Sequence, residues 1–210
     1  MKKLAVFDID NTVISVDSLI GFVKAVIKYR RPLSWLLFLP LCFTALLKVC
    51  HIISIETMKN CWLVLLRGMS EAELEEFCRQ YITDMIFRTV KPGVTEEIMR
   101  LRDDGYTIVL ATASFECYAQ YIAQLLGADI FVGTRLSFDG KRYRVSGKNC
   151  KCGEKIVRIL EHINMEEIDI ANSVSFSDSR SDLPFLQISG TFNLVDKYKW
   201  ETLQEIHHER

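Results

Sequence analysis

The sequence predicts an α/β protein: a three-layer, doubly wound parallel sheet with a helical insert. Three short apolar runs, 4–7, 107–111 and 173–176, are too short for helices and read as buried strands. Helical patterns at 119–126 and 154–163 separate the second run from the third, and strands alternating with helices imply parallel βαβ units. Each run ends on polar residues: Asp8 after the first, Thr112 after the second, Ser177-Asp178 after the third. In sheets of this kind ligands collect at the carboxyl ends of the strands.

The first strand leads into Asp8-Ile9-Asp10-Asn11-Thr12, with two carboxylates two positions apart. Acids beside so apolar a strand need a partner, because an unpaired buried charge costs several kcal/mol. A hard divalent cation such as Mg²⁺ is the economical one. Residues 13–90 lack strand-like runs and read as helices at 19–29, after Pro32, at 56–66 and at 71–81. Ser70 with Glu73 forms a capping box for the last of these. This region is expected to be a helical cap over the strand ends, with residues 1–12 and 91–210 as the catalytic core. Farther on, Pro92-Gly93 opens a helix that Asp104-Gly105 stops, and Asp139-Gly140 signals a hairpin. Residues 192–195 read as the last strand, and the His207-His208 tail as solvated.

The 210 residues suffice for one α/β core with a smaller insert. A formal net charge of −1 gives no sign of a nucleic-acid partner. Seven cysteines, an odd number scattered through apolar segments without zinc spacing, fit free thiols in a reducing compartment, so a cytoplasmic location is expected. Met1-Lys2-Lys3 runs straight into the acidic motif and does not read as a secretory signal.

With these residues in place, the chain resembles the haloacid dehalogenase (HAD) superfamily, which implies a HAD-like Rossmannoid core with an inserted cap. Asp8-Ile9-Asp10-Asn11-Thr12 is similar to its DxDxT signature, Thr112 to its second-motif hydroxyl, and Lys155 to its third-motif lysine. The segment from Asp178 to Asp182 is similar to its acidic fourth motif. The resemblance implies that Asp8 is the nucleophile, forming an aspartyl-phosphate, and that Asp10 is the general acid/base. It implies Mg²⁺ held by Asp8, the Asp10 carbonyl and Asp178. Thr112, the backbone at Ala113 and Lys155 would bind phosphoryl oxygens, and Asp182 would orient metal-bound water or Lys155. Ser114 is the alternative to Thr112, and Lys148 and Lys151 are alternatives to Lys155. An acid at position 10 separates phosphatases from dehalogenases and P-type ATPases in this superfamily.

The insert directly after the first motif resembles the phosphoserine-phosphatase-like branch, subfamily IB. Asp17 falls where those enzymes keep an acid for the substrate amine, but their carboxylate-gripping arginine aligns on Trp62. An indole does not replace a guanidinium, though Lys59 or Arg67 lies a turn away. Residues 32–47 carry no charge, residues 32–55 add only Lys48 and His51 as basic groups, and Lys28 to Arg31 precede them. A single span would put Asp8 and Asp178 on opposite sides of a membrane. The stretch is therefore expected to form a helical hairpin broken near Pro40. It lies in one leaflet with Trp35 as an interfacial anchor, or packs within the cap, or makes a dimer contact. Together with the Ser-Asp-Ser-x-Ser-Asp-Leu-Pro ending, it resembles a group that includes the phosphatidylglycerophosphatase C type. That implies a lipid head-group phosphate as substrate at the inner face of the membrane, against a small phosphorylated metabolite as the alternative, and leaves oligomeric state open. A catalytically silent binding protein is disfavoured, since every acid and the lysine are present.

Overall fold

The computed structural model describes residues 1–30 and 35–207, with the backbone alone for 35–37. The central sheet is built from β1 (Lys3–Asp8), β2 (Tyr106–Phe115), β3 (Ile130–Thr134), β6 (Val174–Ser177), β7 (Thr191–Val195) and β8 (Thr202–His207). Their order is β3-β2-β1-β6-β7-β8, all parallel except β8, which pairs antiparallel with β7. A separate hairpin joins β4 (Leu136–Phe138) to β5 (Tyr143–Val145) around Asp139-Gly140.

β1 lies between β2 and β6, so chain direction switches sides at its carboxyl end. Its central residues Leu4, Ala5, Val6 and Phe7 are fully buried because both faces of the sheet are covered. Ala5 and Phe7 face one core with Ile108 and Leu110. Leu4 and Val6 face a second, with Val109, Ile156 and Phe185. The two-residue period of the strand thus assigns its side chains to two helical layers.

Between β1 and β2 run α1 (Ser18–Tyr29), α2 (Trp35–Val49), α3 (Ile55–Trp62), a 3₁₀ turn at Leu63–Leu66 and α4 (Glu71–Thr89). Sequence signals set their starts: Asp17 and Ser54 accept from backbone N–H groups of the first turns, and Ser70 with Glu73 forms the full capping box. Helix α4 continues eight residues past the expected end at Tyr81 to Thr89, with Ile82 and Ile86 extending its buried face. The hydrophobic core of the insert is continuous with that of the sheet: Phe22 stacks on Tyr118 at 4.6 Å. The remaining helices are α5 (Val94–Asp103), α6 (Glu116–Leu125) and α7 (Gly153–Ile159).

Two expectations are corrected. The chain does not break at Pro40: α2 runs from Trp35 to Val49 with the proline inside it. Pro40 stands in the second turn, where its missing N–H removes one helical bond without opening the rod. β7 is not the last strand: His207, exposed as expected, lies in a further edge strand. Thr191 faces His207 and Phe192 faces Ile206 in a β7–β8 ladder, and Ile206 reaches the core. Exposure along β8 hides it from a periodicity reading, since an edge strand need bury little. Arg31, Pro32, the Trp35 side chain and His208 lie outside the described residues.

Candidate active site

The site forms where β1, β2 and β6 end. Past β1 the backbone coils so that Val13 and Ile14 N–H groups donate to the Ile9 carbonyl. Asn11 takes a left-handed φ of 60°, a conformation asparagine tolerates better than most residues. The buried Lys91 ammonium holds the Asn11 carbonyl at 2.5 Å. This turn swings Thr12 back under the strand end. Its hydroxyl accepts from the Asp178 N–H at 2.8 Å and lies 3.3 Å from Asp8 Oδ2 and 3.4 Å from Asp178 Oδ1.

Lys155, on α7, reaches the same point from the other side of the sheet. Its Nζ is 2.6 Å from Asp8 Oδ1 and 2.7 Å from Asp182 Oδ2, and all three side chains are buried. The two carboxylates push the ammonium pKa up against the pull of burial. Burial raises the Asp8 carboxyl to about 7, with Lys155 pulling the other way and Asp182 and Asp10 adding to the rise. Ser177 donates to Asp182 Oδ2 at 2.9 Å, whereas Asp182 Oδ1 is buried without a protein partner. Lys148 and Lys151 do not contact the acids; Lys151 only lines the cleft.

Asp10 is held by three donors. The Ser18 N–H reaches Oδ1 at 2.7 Å, and the hydroxyls of Thr112 and Ser114 reach Oδ2 at 3.0 and 2.6 Å. Thr112 and Ser114 face this acid because β2 loses register with β3 there. Ala111 pairs with Val132 and Phe115 with Thr134, so β2 uses four steps where β3 uses two. Bulges of this kind re-aim side chains beside functional sites. Both hydroxyls, the expected Thr112 and its alternative Ser114, are bonded to Asp10.

The cleft over these groups measures about 590 Å³. Asp8, Asp10, Asp178 and Lys155 line its floor, and Asp17, Lys48, His51 and Lys59 come from the insert. Asp17 is the cap of α1, its Oδ1 accepting from Ile20 N–H at 3.0 Å. Trp62 is turned away, its indole N–H donating to Thr44 Oγ1 at 3.0 Å and Leu41 O at 3.3 Å. Arg67 lies with Arg142 and Arg144 in a different hollow. A larger groove of about 820 Å³ between α4, α6 and the β4–β5 hairpin holds none of the acids described above.

Among the described residues no three His, Cys, Asp or Glu side chains converge into a ready metal cage. The chemistry nonetheless fits a hard cation completed by water and substrate oxygens. Asp8 and Asp178 flank one hydroxyl, burial raises the pKa of both carboxyls, and Asp182 Oδ1 is unpartnered nearby. A carboxylate fixed by an ammonium beside a second acid in a donor cradle is equipped for attack by one and proton exchange by the other.

The chain belongs to the haloacid dehalogenase-like hydrolase family, whose sequence pattern matches residues 5–187. It is 28% identical over 127 residues to Protein CicA of Caulobacter vibrioides, covering 59% of this chain and 56% of that protein, so it spans a little over half the length of this relative. Among solved structures, a Bordetella pertussis protein of unknown function superposes with a TM-score of 0.75 at 21% identity, covering 89% of this chain and 86% of that one. A substrate-bound phosphoserine phosphatase superposes with a TM-score of 0.62 at 18% identity, covering 91% of this chain and 85% of that one. These likenesses establish the fold.

Proposed function

We propose that the protein is a Mg²⁺-dependent phosphomonoester hydrolase working through an aspartyl-phosphate, with residues 13–90 as a cap on a core of 1–12 and 91–210. The observation that carries the reading is the buried Asp8–Lys155–Asp182 cluster beside an Asp10 that has its own donors. An Asp8 oxygen attacks phosphorus and the bond to the leaving oxygen breaks. Asp10 gives that oxygen a proton, then takes one from the water that hydrolyses the intermediate. Lys155 offsets the charge gathered on Asp8. Asp8, the Asp10 carbonyl and Asp178 would hold Mg²⁺, which supplies charge neutralisation for the phosphoryl group.

Helix α2 supports a lipid head-group phosphate as the substrate. Leu39, Phe43, Leu46 and Val49 are exposed along it, and Ile52 follows in the next loop. This surface ends at Lys48 and His51, which line the cleft. An apolar face flanked by basic residues suits contact with one leaflet at the inner face of a membrane. No described helix is long and apolar enough to cross one. The second reading, a small phosphorylated metabolite, is favoured by the likeness to phosphoserine phosphatase in fold.

Asp8→Asn is expected to abolish hydrolysis of p-nitrophenyl phosphate in Mg²⁺ buffer, and full activity in that variant would sink the mechanism. Sedimentation with anionic liposomes, with phosphate release from lipid and soluble esters assayed side by side, decides the substrate. Failure to sediment with turnover of soluble esters alone would remove the lipid reading.

A further inference from the structure

Helix α3 is fastened to the core by three side chains on one face. Glu56 Oε1 accepts from Asn149 N–H at 3.1 Å, and Asn60 Oδ1 accepts from Val145 N–H at 2.8 Å. Between them Lys59, 2% exposed, sends its ammonium into the floor of the cleft. Its Nζ donates to the Ala113 carbonyl at 2.5 Å and to Asn149 Oδ1 at 2.5 Å, with Thr134 Oγ1 at 3.5 Å. It makes no ion pair among the described residues. A buried ammonium with only neutral acceptors is costly to keep. Burial pulls its pKa down to about 8, against Asp10, Cys150, Asp17 and Glu56, which face it and pull it up.

What the ammonium grips explains its place. The Ala113 carbonyl and the Ser114 N–H belong to one planar peptide and point in opposite directions. With the carbonyl drawn to Lys59, and to Thr134 Oγ1 at 2.6 Å, the N–H is turned toward Thr112 Oγ1 and donates to it at 3.0 Å. That hydroxyl is left to spend its own proton on Asp10 Oδ2 at 3.0 Å, and Ser114 Oγ reaches the same oxygen at 2.6 Å. The chain from Lys59 through the peptide and Thr112 to Asp10 is thus unbroken and polarised in one direction, and such chains strengthen one another.

We propose that Lys59 is a positioning residue for Asp10, setting the 113–114 peptide so that both hydroxyls of the β2 bulge grip the acid. The inference rests on the phosphatase reading and deepens it. In the first step an Asp8 oxygen bonds to phosphorus, the ester P–O bond breaks, and the leaving oxygen takes the proton from Asp10. Dependence on that proton varies with the leaving group. Phenol has a pKa of about 10 and phenolate needs the proton, whereas nitrophenolate is a much weaker base and departs without it.

The test compares kcat/KM for phenyl phosphate and p-nitrophenyl phosphate, two esters of nearly the same shape, in wild type and Lys59→Met. The loss on phenyl phosphate is expected to be roughly 10²-fold, the low end for general acid catalysis, and the loss on the nitrophenyl ester at least tenfold smaller. Asn149→Ala, which removes the other close acceptor and leaves α3 intact, should give the same ester-dependent pattern at smaller size. It decides the matter if the lysine variant does not fold. Equal losses on the two esters, or none, would overturn the positioning role. Wild-type inactivity on p-nitrophenyl phosphate, measured first, would instead overturn the phosphatase reading and this inference with it.

Discussion

Replacing Lys155 with methionine tests the centre of the site through stability alone. The ammonium lies 2.6 Å from Asp8 and 2.7 Å from Asp182, buried with both. At an effective dielectric of about 20, each attraction amounts to roughly 6 kcal/mol, and desolvation of the three charges cancels much of it. What remains on removing one partner of a buried pair is about 3–5 kcal/mol. For a chain of this size that lowers the thermal midpoint by roughly 6–20 °C. The pH dependence has a definite sign. Burial already holds folded Asp8 at about 7, above its unfolded value, and loss of the ammonium raises it further. The folded variant therefore binds protons that the unfolded chain does not, so it gains stability as pH falls from about 7. Urea unfolding of both proteins at neutral and mildly acidic pH measures this. A deficit under about 1 kcal/mol, or one that widens on acidification, would refute a buried ion cluster at this point.

Asp8 must be ionised to attack, so activity should fall on the acid side. A bound divalent cation favours the ionised form, so raising Mg²⁺ should move that limb to lower pH. Profiles of kcat/KM at limiting and saturating Mg²⁺ check this, and a limb indifferent to the metal would separate it from Asp8. For the fold, a Cβ at Gly190 would stand 2.6 Å from the Ala171 carbonyl oxygen and 2.9 Å from that of Ile170, both backbone atoms. Gly190→Ala should therefore cost about 1–3 kcal/mol, and an unchanged thermal midpoint would show that the β6–β7 connection gives way freely.

The parts of this molecule legible in its sequence are those governed by neighbours in the chain. The buried runs of β1, β2 and β6 show as apolar because both faces are covered, and Ser70 with Glu73 announces α4 within four residues. β8 escapes such a reading because almost nothing along it is buried. The continuous α2 escapes it because Pro40 is a breaker by rule, yet the helix runs on through it. At the site, Asp8, Asp10, Lys155 and Asp182 fall in ordered motifs; the structure brings Asp8, Lys155 and Asp182 within bonding distance and places Asp10 in the same cleft. Ser18, Thr134 and Asn149 carry no such mark. Each is an ordinary polar residue whose partner lies on another element, as with Thr134 and the Ala113 carbonyl 21 positions earlier.

Lys59 shows why that distinction matters for function. In the sequence it is one lysine among many on a helix of mixed polarity, a turn from Trp62. Its neighbours on α3 explain its different destination. Glu56 and Asn60 stand three positions before it and one after, so all three share a helix face, and each bonds to the core. A lysine fixed there cannot follow a mobile lid. Its ammonium is buried against a carbonyl of the bulge that cradles Asp10, and two acceptors at 2.5 Å with a third at 3.5 Å take up its three protons. It therefore has none left for a substrate carboxylate unless the network opens. At the rim of the cleft, Lys48 and His51 adjoin the exposed apolar face of α2. On the readings proposed above, the division of labour would be spatial: α3 would hold the chemistry in register, while α2 and the loop after it would meet what carries the phosphate.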